Sequence, residues 1–159
     1  MIFTKSLSYD EIKSNLDKKD VISIISCSSC ARVAGSGSEE RMKDLAMHLR
    51  AEGYNVKEGF TINTVCTPKV FQARLDGKVN TIITMGCTAG HTNVSNLFAG
   101  KKVITSSYDV GLMAADVKNE TIHVAVPYEA HKDTKGKKFK MFSGEQINDS
   151  STAGKEEKK

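Results

Sequence analysis

Val21-Ile22-Ser23-Ile24-Ile25-Ser26 runs straight into Cys27-Ser28-Ser29-Cys30, and the reading of that run decides the fold. The run is rich in β-branched residues and lacks strict alternation, the pattern of a strand covered on both faces in a parallel sheet. Two further cysteines repeat the arrangement. Cys66 follows Thr61-Ile62-Asn63-Thr64-Val65, and Cys87 follows Thr81-Ile82-Ile83-Thr84-Met85-Gly86. Each of the four thiols therefore falls where a strand-like run has just ended. In a parallel α/β sheet those ends share one edge, which is where such folds bind ligands.

Outward from this stretch, strands and helices alternate. Residues 8–18 read as a helix, with Ser8 and Glu11 forming a capping box and Leu7 and Ile12 the hydrophobic staple. After the cysteine loop of residues 27–37, Ser38 caps a helix reaching to about Glu52, with Glu39 and Glu40 in the first turn and Gly53 after its end. Residues 54–65 hold a strand or strand pair, and Thr67-Pro68 opens a helix that ends at Asp76-Gly77. Residues 79–85 form a second core strand, followed by a helix over 91–98. Residues 102–105 and 121–126 are further strands, with a short helix expected near 109–116. The alternation with short connections predicts an α/β fold: a three-layer, doubly wound, mostly parallel sheet of Rossmann-like or flavodoxin-like order.

A chain of 159 residues with 39% apolar and 26% charged residues reads as one domain with a full core. Residues 1–142 are assigned to that domain and residues 143–159 to a disordered, Lys-rich tail. The net charge of +4 is concentrated late: eight Lys against five acids from residue 131 onward leave only +1 on residues 1–130. With no Trp and no basic face, nucleic-acid binding is not expected. No apolar run is long enough to span a bilayer and no secretory signal is evident, so a cytoplasmic protein without a membrane partner is expected. In that compartment, cysteines are read as metal ligands or redox thiols before disulfides.

Cys27-Ser28-Ser29-Cys30 can turn two thiolates toward one metal. Neighbouring strands lie about 4.8 Å apart, so thiols at three adjacent strand ends can converge. Cys27, Cys30, Cys66 and Cys87 are accordingly the candidate metal ligands. A four-iron, four-sulfur (4Fe-4S) cluster suits ligands drawn from separate loops. Zinc is the alternative, although structural zinc sites more often use two Cys-x-x-Cys pairs. Two other readings remain open: a dithiol redox or Cys-dependent enzyme site, and four unconnected core cysteines. Gly35, Gly37, Gly86 and Gly90 can bring backbone close to a bulky cofactor, and His91 is the histidine nearest the expected site. Gly35-Ser36-Gly37-Ser38 lacks the Lys-Ser/Thr ending of a nucleotide-binding phosphate loop.

Cys27-Ser28-Ser29-Cys30-Ala31-Arg32-Val33 and Thr84-Met85-Gly86-Cys87-Thr88-Ala89-Gly90-His91-Thr92 resemble two segments of the methylenetetrahydrofolate reductase C-terminal-like family. That family includes the MetV-type small subunit. Cys66 falls at a third cysteine position of the family, and Ser107-Tyr108-Asp109 resembles a later Asp-containing turn. The resemblance covers roughly residues 1–126. It implies an iron–sulfur protein, also zinc-containing in some forms, that exchanges electrons with a flavin-containing reductase or another redox subunit in one-carbon metabolism. Homo-oligomerisation stays open. Ala34 stands where relatives often carry another cysteine, and a cysteine-rich C-terminal segment is replaced by the Lys-rich tail. The resemblance therefore implies one centre, not two.

Overall fold

The computed structural model describes residues 1–148. Its centre is β2 (Val21–Cys27), whose Ile22, Ile24 and Ile25 are wholly buried. β2 pairs in parallel with β3 (Asn55–Ile62) on one side and β4 (Thr81–Met85) on the other, and β4 pairs in parallel with β5 (Lys102–Thr105). The order is β3-β2-β4-β5.

Both faces of this sheet are covered, which explains why its strands lack alternation. On one face, α1 (Tyr9–Lys13) and α3 (Glu39–Ala51) pack Ile12, Met42, Leu45 and Leu49 against Ile22, Ile24 and Ile83. On the other, α4 (Thr88–Leu97) and a 3-10 turn at Pro68–Gln72 pack Val94 and Val70 against Ile25 and Ile82.

The chain is thus a mixed α/β protein with a four-stranded parallel sheet, but the sheet expected to be mostly parallel is only part of it. A second, five-stranded antiparallel sheet has the order β1-β6-β7-β8-β9. It comprises β1 (Ile2–Ser6), β6 (Ser107–Asp116), β7 (Thr121–Pro127), β8 (Lys138–Lys140) and β9 (Gln146–Ile147). Only Ser106 separates β5 from β6. Its amide donates to Thr84 O at 2.9 Å and its carbonyl accepts from Leu7 N at 2.9 Å, so one residue joins the two sheets.

β6 overturns the helix expected near 109–116. Leu112, Met113, Ala114 and Ala115 are good helix formers, but pairing with β1 and β7 overrides that local preference. Gly111 permits the pairing to be close: a Cβ there would lie 2.4 Å from Val126 O.

Other expected helices shorten. α1 stops at Lys13, not residue 18, because the Asp17 and Asp20 carboxylates take the amides of Lys19 and Asp17 at 2.8 Å each. The helix expected after Thr67-Pro68 is only the 3-10 turn. Conversely, the loop expected at 27–37 contains a short helix, α2 (Cys30–Ala34).

Phe139 is buried in the second core with Phe3, Ala34, Val110 and Ile122. The first residues assigned to the tail also join the fold. Ser143 and Gly144 lie directly against Gly35, and β9 pairs with β8. The rest of that assignment, 149–159, lies outside the described residues.

Gly35 and Gly53 separate two costs. Both have left-handed backbone, with φ of 81° and 83°, but a Cβ on Gly35 would meet Ser143 C at 2.3 Å while one on Gly53 meets nothing within 4 Å. Gly53→Ala is expected to cost about 1 kcal/mol of unfolding free energy. Gly35→Ala is expected to cost about 3 kcal/mol or more, because backbone must move. Equal shifts in urea unfolding would contradict the packing of 143–144 onto Gly35.

Candidate metal centre

The connection from β2 runs to β3 on one side and the connection from β4 runs to β5 on the other. The carboxyl ends of β2 and β4 therefore flank the switch point of the parallel sheet, the place where such folds bind ligands. Cys27 is the last residue of β2, and Gly86-Cys87 directly follow β4. Ser26 is paired with Met85, so the Cys27 and Gly86 positions come next on each strand. A Cβ on Gly86 would stand 3.4 Å from Cys27 Cβ. On the other side Cys27 pairs with Ile62, and the chain continues through a turn at Thr64 (φ 62°) to Cys66.

Three side chains hold these loops. Asn93 on α4 donates from Nδ2 to Val65 O at 2.9 Å and Thr67 O at 2.7 Å, gripping the carbonyls on both sides of Cys66. Ser107 Oγ donates to Gly86 O at 2.6 Å, and the Asp109 carboxylate accepts from Thr88 N at 3.0 and 3.1 Å. The antiparallel sheet thus fixes the Cys87 loop from β6. Sequence reasoning missed Asn93, for which no local signal exists. Ser107 and Asp109 fall in the turn that carried part of the family resemblance.

All four thiols are free. Cys27 and Cys87 are buried, Cys30 is half-buried and Cys66 is exposed. Cys30 begins α2, which corrects the expectation that a loop separates Cys-x-x-Cys from any helix. Among the described residues, no three His, Cys, Asp or Glu side chains stand ready-grouped to hold a metal ion.

The thiols nevertheless feel one another. Partial burial raises the Cys66 thiol above the usual cysteine range, and the neighbouring Cys27 and, less strongly, Cys30 raise it further against the pull of a backbone amide. Burial likewise raises Cys87. The amides of Gly90 and Ala89 oppose that rise, and Asp109 and Cys66 add to it. Cys66 is thus the electrostatic neighbour of the other three.

The expected cofactor-lining residues divide. Gly37 lies under the site, where a Cβ would stand 2.9 Å from Ala31 Cβ and 3.2 Å from Cys27 O. Gly86 faces Cys27, and a Cβ on Gly90 would lie 3.5 Å from Val65 Cγ1 and 3.7 Å from Cys66 N. Gly35 is occupied instead by Ser143-Gly144. The His91 ring turns to the sheet, with Nδ1 3.1 Å from Thr84 Oγ1, which itself donates to Ile104 O at 3.1 Å.

A raised thiol pKa means a smaller thiolate fraction at neutral pH, so alkylation should be slow there and rise with pH. With iodoacetamide and peptide mass spectrometry, Cys66 should label well before Cys27 and Cys87, with its rate midpoint above that of an ordinary cysteine. Asp109→Asn should move the Cys87 midpoint downward by removing a nearby negative charge. Equal labelling of Cys66 and Cys87, or an unmoved Cys87 midpoint, would contradict these surroundings. Comparisons with protein-family models, curated proteins and solved structures give no match to this chain.

Proposed function

We propose that the switch-point edge holds one metal centre on Cys27, Cys30, Cys66 and Cys87, an iron–sulfur cluster before zinc. In this reading the protein is a small electron-transfer or accessory subunit. Its partner would be a flavin-containing reductase or other redox protein, as the resemblance to the methylenetetrahydrofolate reductase C-terminal-like family implies. The order β3-β2-β4-β5 agrees with a flavodoxin-like winding of the parallel half, and a doubly wound, three-layer assignment of that half belongs to this same proposal.

The observation that carries the reading is Cys66. It lies on a separate loop, yet that loop packs against the start of α4 beside Cys87, where a Cβ on Gly90 would stand 3.7 Å from Cys66 N, and Cys27 and Cys30 are near enough to help raise its thiol. Cys27 and Cys30 beside Cys66, and Cys66 beside Cys87, would repel one another as thiolates. A cation or cluster reverses the sign of that interaction, drawing the sulfurs inward and displacing their protons. The donor set fits such a group, because each cysteine has a single side-chain rotor and exposed Cys66 has room to turn. A bound cluster would supply one-electron chemistry, while the chain supplies the sulfurs. The amides of Ala89 and Gly90 already face Cys87 and favour its anionic form.

A second reading is favoured by α2. Because Cys30 starts a helix, Cys27 and Cys30 resemble a dithiol pair. That reading gives no role to Cys66.

Anaerobic purification with iron, sulfide and zinc analysis tests the proposal. Cys66→Ser should lose bound metal as completely as Cys27→Ser, with loss of visible absorption that bleaches on reduction. A colourless protein with stoichiometric zinc would replace the cluster with zinc. Full metal content in Cys66→Ser would remove that residue from the centre, and a metal-free protein under all loading conditions would leave the dithiol reading.

A further inference from the structure

Beside the cysteines, on the far side of the Cys87 loop, lies a cleft of about 850 Å3 between α4 and the antiparallel sheet. Ala89, Thr92 and Asn96 from α4 form one wall, and Asp109, Tyr128 and His131 line the other. Its volume falls in the range of small-molecule sites, and it adjoins the carboxyl end of a parallel strand.

The charge of the lining is one-sided. No Lys or Arg lines the cleft, and Asp109 is its one carboxylate. Among the described residues no cation lies within salt-bridge distance of that carboxylate. Its two oxygens share one amide hydrogen, from Thr88, which fills the fork between them and leaves their outer lone pairs unused. Asp109 cannot turn away from the cleft without breaking the contact that caps α4. The His131 ring lies beside that of Tyr108, with centroids 5.5 Å apart and planes 30° apart, which steadies it at the cleft wall. The Tyr128 hydroxyl, on the same wall, can donate a hydrogen bond to a ligand.

We propose that this cleft binds a flat, non-anionic ring bearing an N–H donor, which bonds an outer lone pair of the Asp109 carboxylate while the ring lies against His131 and Tyr128. The Asp109 carboxylate disfavours anionic and phosphorylated compounds. The binding goes beyond the metal reading and does not depend on it, since none of the lining residues is a cysteine.

Benzamidine, benzamide and benzoate are the probes, being matched in shape and differing in charge. Titrated into the metal-free full chain under amide-resolved NMR, benzamidine should bind saturably in the millimolar range, with shifts concentrated at Thr88, Ala89, Thr92, Tyr128 and Ala130. Benzoate should give none. Asp109→Asn should weaken benzamidine by about fivefold or more, the worth of a partly exposed charged contact, and leave benzamide within about twofold. Because Asp109 also caps α4, Ala130→Phe serves as a second variant. Residue 130 is exposed, so the variant should fold normally and lose both neutral and cationic probes. Cys66→Ser should bind benzamidine as the unaltered chain does, whether or not it retains metal. Shifts scattered over the surface, equal binding of benzoate, or an unchanged affinity in both cleft variants would each overturn the proposal.

Discussion

Parallel pairing on both sides of β2 is the constraint from which the rest follows. A strand held between two parallel neighbours must end beside them, about 4.8 Å from each. β2 ends at Cys27, β4 ends one residue before Gly86, and β3 ends at Ile62, four residues before Cys66. Cysteines separated by up to 60 positions in sequence, from Cys27 to Cys87, are thus brought toward one edge by strand pairing. Ile22, Ile24 and Ile25, buried on both faces, hold that pairing in register, since a one-residue slip would exchange the faces of every side chain.

The antiparallel sheet finishes what the parallel sheet begins. β6 starts a single residue after β5, so Ser107 and Asp109 reach the Gly86–Thr88 segment directly and fix it from the side opposite β2. Asn93 does the same for Cys66 from α4. Small residues keep these approaches close, with Gly86 against Cys27 and Gly90 against Cys66. The result is an edge whose backbone is held firmly, with Cys27 and Cys87 buried and Cys66 exposed.

Much of this was legible in the sequence, for identifiable reasons. The β2, β4 and β5 runs are β-branched and bounded by turn residues, and α3 carries both a serine cap and a regular apolar stripe, so local signals and tertiary structure agree there. They disagree at 109–116, where helix-forming Leu, Met and Ala are recruited into β6 by pairing with β1 and β7, contacts no local window contains. The second sheet was missed with it. In the site, the cysteine positions followed from strand ends, but the grip of Asn93 on Val65 and Thr67 depends on how α4 lies across the sheet. The displacement of Gly35 and His91 has the same origin: each meets a partner, Ser143-Gly144 or Thr84, that the periodicity of its own segment does not reveal.

The most direct test of the shared-sulfur account is X-ray absorption at the metal edge of the full chain loaded anaerobically with iron and sulfide, or with zinc. The account expects a first coordination shell made wholly of sulfur, as four converging thiolates would supply. A shell dominated by nitrogen or oxygen would show that the four cysteines do not share one centre.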